Sequence, residues 1–145
     1  TINQQGYGSL KNIKKGDNTA ISFDMQPRTV VANSHVKDDK GLVAVERGPL
    51  VYCAEWADND GVSIQNTFLH SNATFKLIND YSIINTEADG KPFKVDAITT
   101  EAQELERNTN GDLQLKNVNL ILIPYYAWNH RGAGNMDVWL QNKLK

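Results

Sequence analysis

"LVAVERGPLVYCAEW", residues 42–56, decides the fold class. It divides into two short apolar runs separated by Gly48 and Pro49, a pair that interrupts a β-ladder. In the second run, period-2 alternation sends Leu50, Tyr52 and Ala54 to one side and Val51, Cys53 and Glu55 to the other. That is the pattern of strands, and it repeats outward in both directions. Upstream, "KKGDN" (14–18) reads as a turn. "TAISFDM" (19–25) reads as a half-buried strand with Ile21, Phe23 and Met25 on one face, ended by Pro27. "RTVVAN" (28–33) is a further strand, followed by the charged turn "VKDDKG" (36–41).

Downstream, "ADNDG" (57–61) is the richest turn cluster and is taken as an internal boundary. "VSIQNTFL", "TFKLIN", "YSIINTEA", "KPFKVDAITTEA" and "LQLKNVNLILIPYYAW" then read as strands, separated by "ADGK" and "NTNGD", and "MDVWLQ" as the last. Asn110-Gly111 favours a tight hairpin because both residues tolerate positive φ. "TTEAQELER" (99–107) carries a capping-type start and helical spacing of Ile98, Ala102 and Leu105, but the clean alternation of the adjacent "KVDAI" favours a strand. About ten short strands predict an all-β protein, a jelly-roll-like β-sandwich of mostly antiparallel strands with little or no helix.

The 145 residues, 40% hydrophobic and 22% charged, are those of an ordinary globular protein. A formal net charge of -2 without a basic stripe argues against nucleic acid and against attraction to a membrane surface as partners. The longest apolar stretches fall short of the roughly 20 residues of a membrane span. The chain opens on Thr1 and reads as a piece of something longer, its first residues the tail of an earlier unit.

Few residues suggest chemistry. The single Cys53 can form neither an internal disulfide nor a thiolate zinc site by itself, and alternation places it beside Val51 as a small hydrophobe. His35 and His70 sit in or beside turns, and no histidine has a second ligand at a spacing that would share one face, so no metal site is expected. Among the carboxylates Glu46, Glu55, Asp58, Asp60, Glu101, Glu104 and Asp137, nothing singles out an acid/base pair. The turn acids Asp38, Asp39, Asp58 and Asp60 lack calcium-loop spacing, and "RGAG" (131–134) lacks the rest of a phosphate fingerprint.

The richest stretch is "IPYYAWNHRGAGNMDVWL" (123–140). It reads as a strand, a glycine-permitted turn and a strand returning through Met136, Val138 and Leu140. Tyr125, Tyr126, Trp128, Asn129, His130, Arg131 and Trp139 are the candidate contact residues, either at an interface or around a sugar. No catalytic or cofactor-binding residue is expected.

Two segments carry a resemblance. "KGD", "M-x-P-R", "VAVERGPLVYC-x-E" and "IPYYAWNHRGAG-x-M-x-VWL" run in the order found after the catalytic barrel in bacterial enzymes of glycoside hydrolase family 127, the β-L-arabinofuranosidases, and the chain is similar to that region over about half of its residues. The resemblance implies residues 1–56 as the latter part of a middle β-sandwich domain and 57–145 as the C-terminal one. It also implies a parent glycoside hydrolase of carbohydrate metabolism, with an N-terminal helical barrel holding a zinc site of several Cys and a Glu. None of that site maps onto this sequence, so the zinc is expected in the barrel and this region is expected to be non-catalytic. The barrel of the same parent chain is then the expected partner, with a homodimer as one remedy for exposed strand edges in the first half. A carbohydrate-binding module using the aromatics of 125–139 is the rival reading, and a polysaccharide-degrading parent would be periplasmic or secreted.

Overall fold

The computed structural model describes residues 5–70, 72–86 and 89–143. Nine strands follow in chain order: β1 (Pro27–Val31), β2 (Leu42–Arg47), β3 (Leu50–Glu55), β4 (Thr67–His70), β5 (Phe75–Ile84), β6 (Pro92–Arg107), β7 (Leu113–Pro124), β8 (Met136–Asp137) and β9 (Leu140–Lys143). Among the described residues there is no α-helix; short 3-10 turns occupy Trp56–Asp58, Ile64–Asn66 and Tyr125–Ala127. The ends of the elements expected over 81–88 and 88–91, and the first four residues, lie outside the described residues.

The fold is all-β, but the sheet closes on itself where a jelly-roll-like sandwich was expected. β2, β3, β7, β6, β4 and β9 pair in a ring, antiparallel throughout except for the parallel β4–β9 contact. The reason lies in β6. Its sixteen residues are long enough to carry β7 along Ile98–Arg107 on one edge and, in succession on the other, β5 up to Thr100 and β4 from Ala102. β9 then fills the gap between β4 and β2, and closure removes most free edges without a second stacked sheet. β1, β8 and β5 add to β2, β3 and β6.

Alternation fixes what lies inside. Val43, Val45, Tyr52, Ala54, Leu69, Ile98, Ala102, Leu120, Leu122 and Leu140 share one parity on their strands and form the barrel interior. The opposite parity of β3, β5, β6 and β7 supplies a second apolar layer, with Cys53, Ile83, Val95, Ala97 and Ile123 buried against Ala127. Burying a Leu or Ile of either layer contributes about 1.5–3 kcal/mol.

Three local expectations are corrected. Residues 19–25 form no strand, since no neighbour offers them a ladder, and Phe23 is 76% exposed. The loop at Asn110-Gly111 is five residues long, because Asn108 receives bonds from the Asn110 and Asp112 amides on its side-chain oxygen, and only Gly111 takes positive φ (86°). "LVAVER" and "LVYCAE" are two strands separated by Gly48-Pro49, as expected, but the pair does not break the ladder between them, since they bond each other across it. The 99–107 segment is strand, as alternation required. The turn at 57–61 joins strands of one closed sheet.

Candidate functional site

The aromatic stretch leaves the sheet at Pro124. The 3-10 turn Tyr125–Ala127 breaks the alternation there, and Asn129, with φ 65°, turns the chain back. Asn tolerates this left-handed conformation better than most side chains. The returning segment does not pair with β7 as a hairpin: Met136 and Asp137 join β3, and Leu140 and Gln141 join β2. The expected hairpin is therefore a loop spanning 125–135 that folds over the outer apolar layer.

Arg131 holds that loop down. One guanidinium nitrogen bonds Asp58 Oδ1 at 2.6 Å, and the other bonds Asp58 Oδ2 at 2.5 Å and also Glu55 Oε2. The Asn129 amide donates to Glu55 Oε1 (3.1 Å), and the Tyr81 hydroxyl donates to Asp58 Oδ1 (2.8 Å). Both carboxylates are buried, as is most of the guanidinium. Asn59, next in sequence, donates to the carbonyls of Glu55 and Ile121 and accepts from the Ile121 amide (2.8 Å), fastening the same turn to β7. Farther out, the His130 carbonyl accepts from the Thr86 amide (2.8 Å), and the His130 ring meets Phe93 edge-on at 5.4 Å.

The electrostatics follow from burial and pairing. Burial works against the Arg131 charge, but its bonds to Asp58 and then Glu55 outweigh that cost, so its pKa is raised. Burial, followed by the Asp58 bond and charge, pushes the Tyr81 phenol up to about 12. Burial also pushes the Cys53 thiol up to about 12, reinforced by the charges of Glu55 and Asp58. A thiol so placed is a packed apolar group and not a nucleophile. Burial raises the pKa of Asp137.

A model of the family described as "Glycoside hydrolase family 127 C-terminal domain" matches residues 27–141. The chain belongs to that family. Over 164 aligned positions this family 127 domain is 35% identical to the non-reducing end β-L-arabinofuranosidase of Bifidobacterium longum subsp. longum, covering 96% of the chain and 23% of the enzyme. It is similar to a solved family 127 β-arabinofuranosidase (45% identity, TM-score 0.70), covering 83% of this chain and 18% of that one. A second solved relative is the family 127 β-L-arabinofuranosidase of Geobacillus stearothermophilus T6, with 29% identity, TM-score 0.66 and coverage of 82% and 18%. The chain thus spans about a quarter or less of the length of these relatives.

Within the family 127 domain the candidate residues separate. Arg131 turns inward, and Asn129 and His130 are tied through their backbone groups to Glu55 and Thr86. Trp128 is half-buried against the outer layer, with Tyr125 tilted 35° from it at 6.1 Å; Trp139 is half-buried. Tyr125 and Tyr126 are exposed. Periodicity could not find the partners Glu55, Asp58 and Tyr81, which come from two segments distant in sequence from Arg131. One signal was available: a lone Arg inside an apolar stretch must meet a carboxylate if it is buried. Among the described residues no three His, Cys, Asp or Glu side chains converge as metal ligands, and protonated Cys53 does not suit zinc, so no step through a metal is assigned to this chain.

Proposed function

We propose that this chain is a non-catalytic C-terminal module of a larger glycoside hydrolase resembling the β-L-arabinofuranosidases, and that it supports the catalytic barrel of that parent. The observation that carries the reading is the stretch before β1. Tyr7, Leu10, Ile13, Ile21 and Phe23 are all exposed, in a segment that ends where the family match begins at residue 27. An apolar string of this kind is the mark of a surface that another body covers, and the upstream part of a parent about four times as long as this chain is the occupant it fits. The boundary between modules is then at residues 26–27. The paired states of Glu55, Asp58 and Arg131 support the same reading, since each group is committed to holding the loop. Zinc and its cysteines belong to the barrel in this proposal.

Two assays test it. The 145-residue chain should not hydrolyse an aryl β-L-arabinofuranoside, whereas the parent should. Ile21→Ser with Phe23→Ser in the parent should lower its Tm while leaving the Tm of the isolated chain unchanged. Turnover by the isolated chain would overturn the proposal, as would a parent indifferent to both substitutions.

A further inference from the structure

One end of the barrel opens into a cleft that the loop network does not use. Its floor continues the interior faces of β3, β6 and β7 past the last apolar layer, through Tyr52, Asp96 and Pro124, and the cavity volume is about 260 Å³. Mouths of β-barrels are preferred ligand sites, and this volume lies just below the range of about 300–1,000 Å³ that takes drug-sized molecules. It suits a single sugar ring.

The floor is rigid. Arg47 pairs with Asp96 at 3.3 Å, and the Tyr52 hydroxyl donates to the Asp96 carbonyl at 2.9 Å. The rim is not. Asp80 and Lys94 stand 3.7 Å apart with both side chains largely in water, and Tyr126 is 62% exposed on the same cleft. Asp80 owes its position to a bulge, where the β5–β6 register shifts between Ile78 and Tyr81, and it takes φ 55°. Asp adopts this left-handed conformation more readily than most side chains, and the bulge sets its carboxylate opposite Lys94 at the edge of the cleft.

We infer that this cleft is a glycosyl-binding subsite in which one neutral sugar ring stacks on Tyr126 and its hydroxyls bond Asp80 and Lys94. Two cations and two carboxylates line it, which gives no net pull on an anion or a cation but many donors and acceptors for a polyhydroxylated ligand. An exposed phenol ring supplies the apolar face that sugar C–H groups need. The choice of a pentose rests on the proposed function; the site itself rests on the geometry.

The test is an amide chemical-shift titration of the chain with methyl β-L-arabinofuranoside. Saturable shifts are expected at Asp80, Lys94, Asp96 and Tyr126, with a Kd on the order of 1 mM. Tyr126→Ala and Asp80→Gly should each weaken binding about tenfold, a loss of about 1.4 kcal/mol. Asp80→Gly keeps the positive φ and serves as the variant that folds. Absence of saturable shifts, shifts centred on residues 129–134, or binding indifferent to both variants would each sink the subsite. So would protection of Tyr126 from nitration in the parent, which would mean that the upstream module covers the cleft. Hydrolysis of the aryl arabinofuranoside by the parent is a separate readout, so the subsite can fail while the family reading stands.

Discussion

Arg131 is the residue on which the C-terminal loop depends. Removing it strands two buried carboxylates, and breaking a buried ion pair in this way costs about 3–5 kcal/mol. Arg131→Met should therefore lower the urea midpoint by a corresponding amount, and a loss below about 1 kcal/mol would show that the network is not structural. Arg131→Lys should recover little, because an ammonium cannot span Asp58 and Glu55 as the planar fork does. Cys53 gives a second, pH-dependent prediction. Its folded pKa of about 12 lies above its ordinary value of 9.0, so the neutral thiol contributes stability that is complete below pH 9 and is lost as pH rises toward 12. Tyr81, also raised to about 12 from 10.0, acts in the same direction at slightly higher pH. Alkylation by iodoacetamide at pH 8 should accordingly track the unfolding transition, with no labelling of the native chain. Rapid labelling under native conditions would mean that Cys53 is not packed as described.

At the scale of elements, the β2–β3 hairpin turns on Gly48, which takes φ 58° and lies so close to Met25 that an added Cβ would overlap its sulfur. The methionine can move, but the left-handed backbone cannot be relieved. Gly48→Ala should cost about 1–2 kcal/mol by urea denaturation, and Gly48→Asn clearly less, because Asn tolerates that region. Equal effects would show that the Met25 contact and not φ governs the site. Strands were legible wherever alternation was local, as in β2, β3 and the long β6. Their partners were not, since the parallel β4–β9 pairing joins residues 68–70 to 141–143, and nothing in either stretch names the other. The same limit hid the loop site. Arg131 and its neighbours stood out as a cluster of unusual residues, but the turn at Tyr125–Ala127 that aims Arg131 inward follows a Pro in a sequence that could equally have continued as strand.

For the whole molecule, the decisive question is how much of the chain the barrel needs. Among the described residues all nine strands lie between Pro27 and Lys143, and the ring closes without any residue before Pro27. Among the described residues upstream, Tyr7, Leu10, Ile13, Ile21 and Phe23 are exposed and bury little against it, whereas Met25 lies against Gly48. Since stability follows the apolar area removed from water, and exposed side chains contribute almost none, deleting residues 1–26 should leave the urea midpoint within about 1 kcal/mol of the intact chain. The same deletion should reduce binding of a hydrophobic dye such as ANS, because it removes Tyr7, Leu10, Ile13, Ile21 and Phe23 together. Equilibrium unfolding of both forms, followed by tryptophan fluorescence and by far-UV circular dichroism, measures the first effect, and dye titration measures the second. A truncated chain that loses cooperative unfolding would place residues 5–26 inside the folding unit, and the module boundary at 26–27 would have to be abandoned. A truncated chain that folds as well as the intact one but binds less dye would assign the exposed apolar surface to that segment, as the proposed docking of an upstream module there requires.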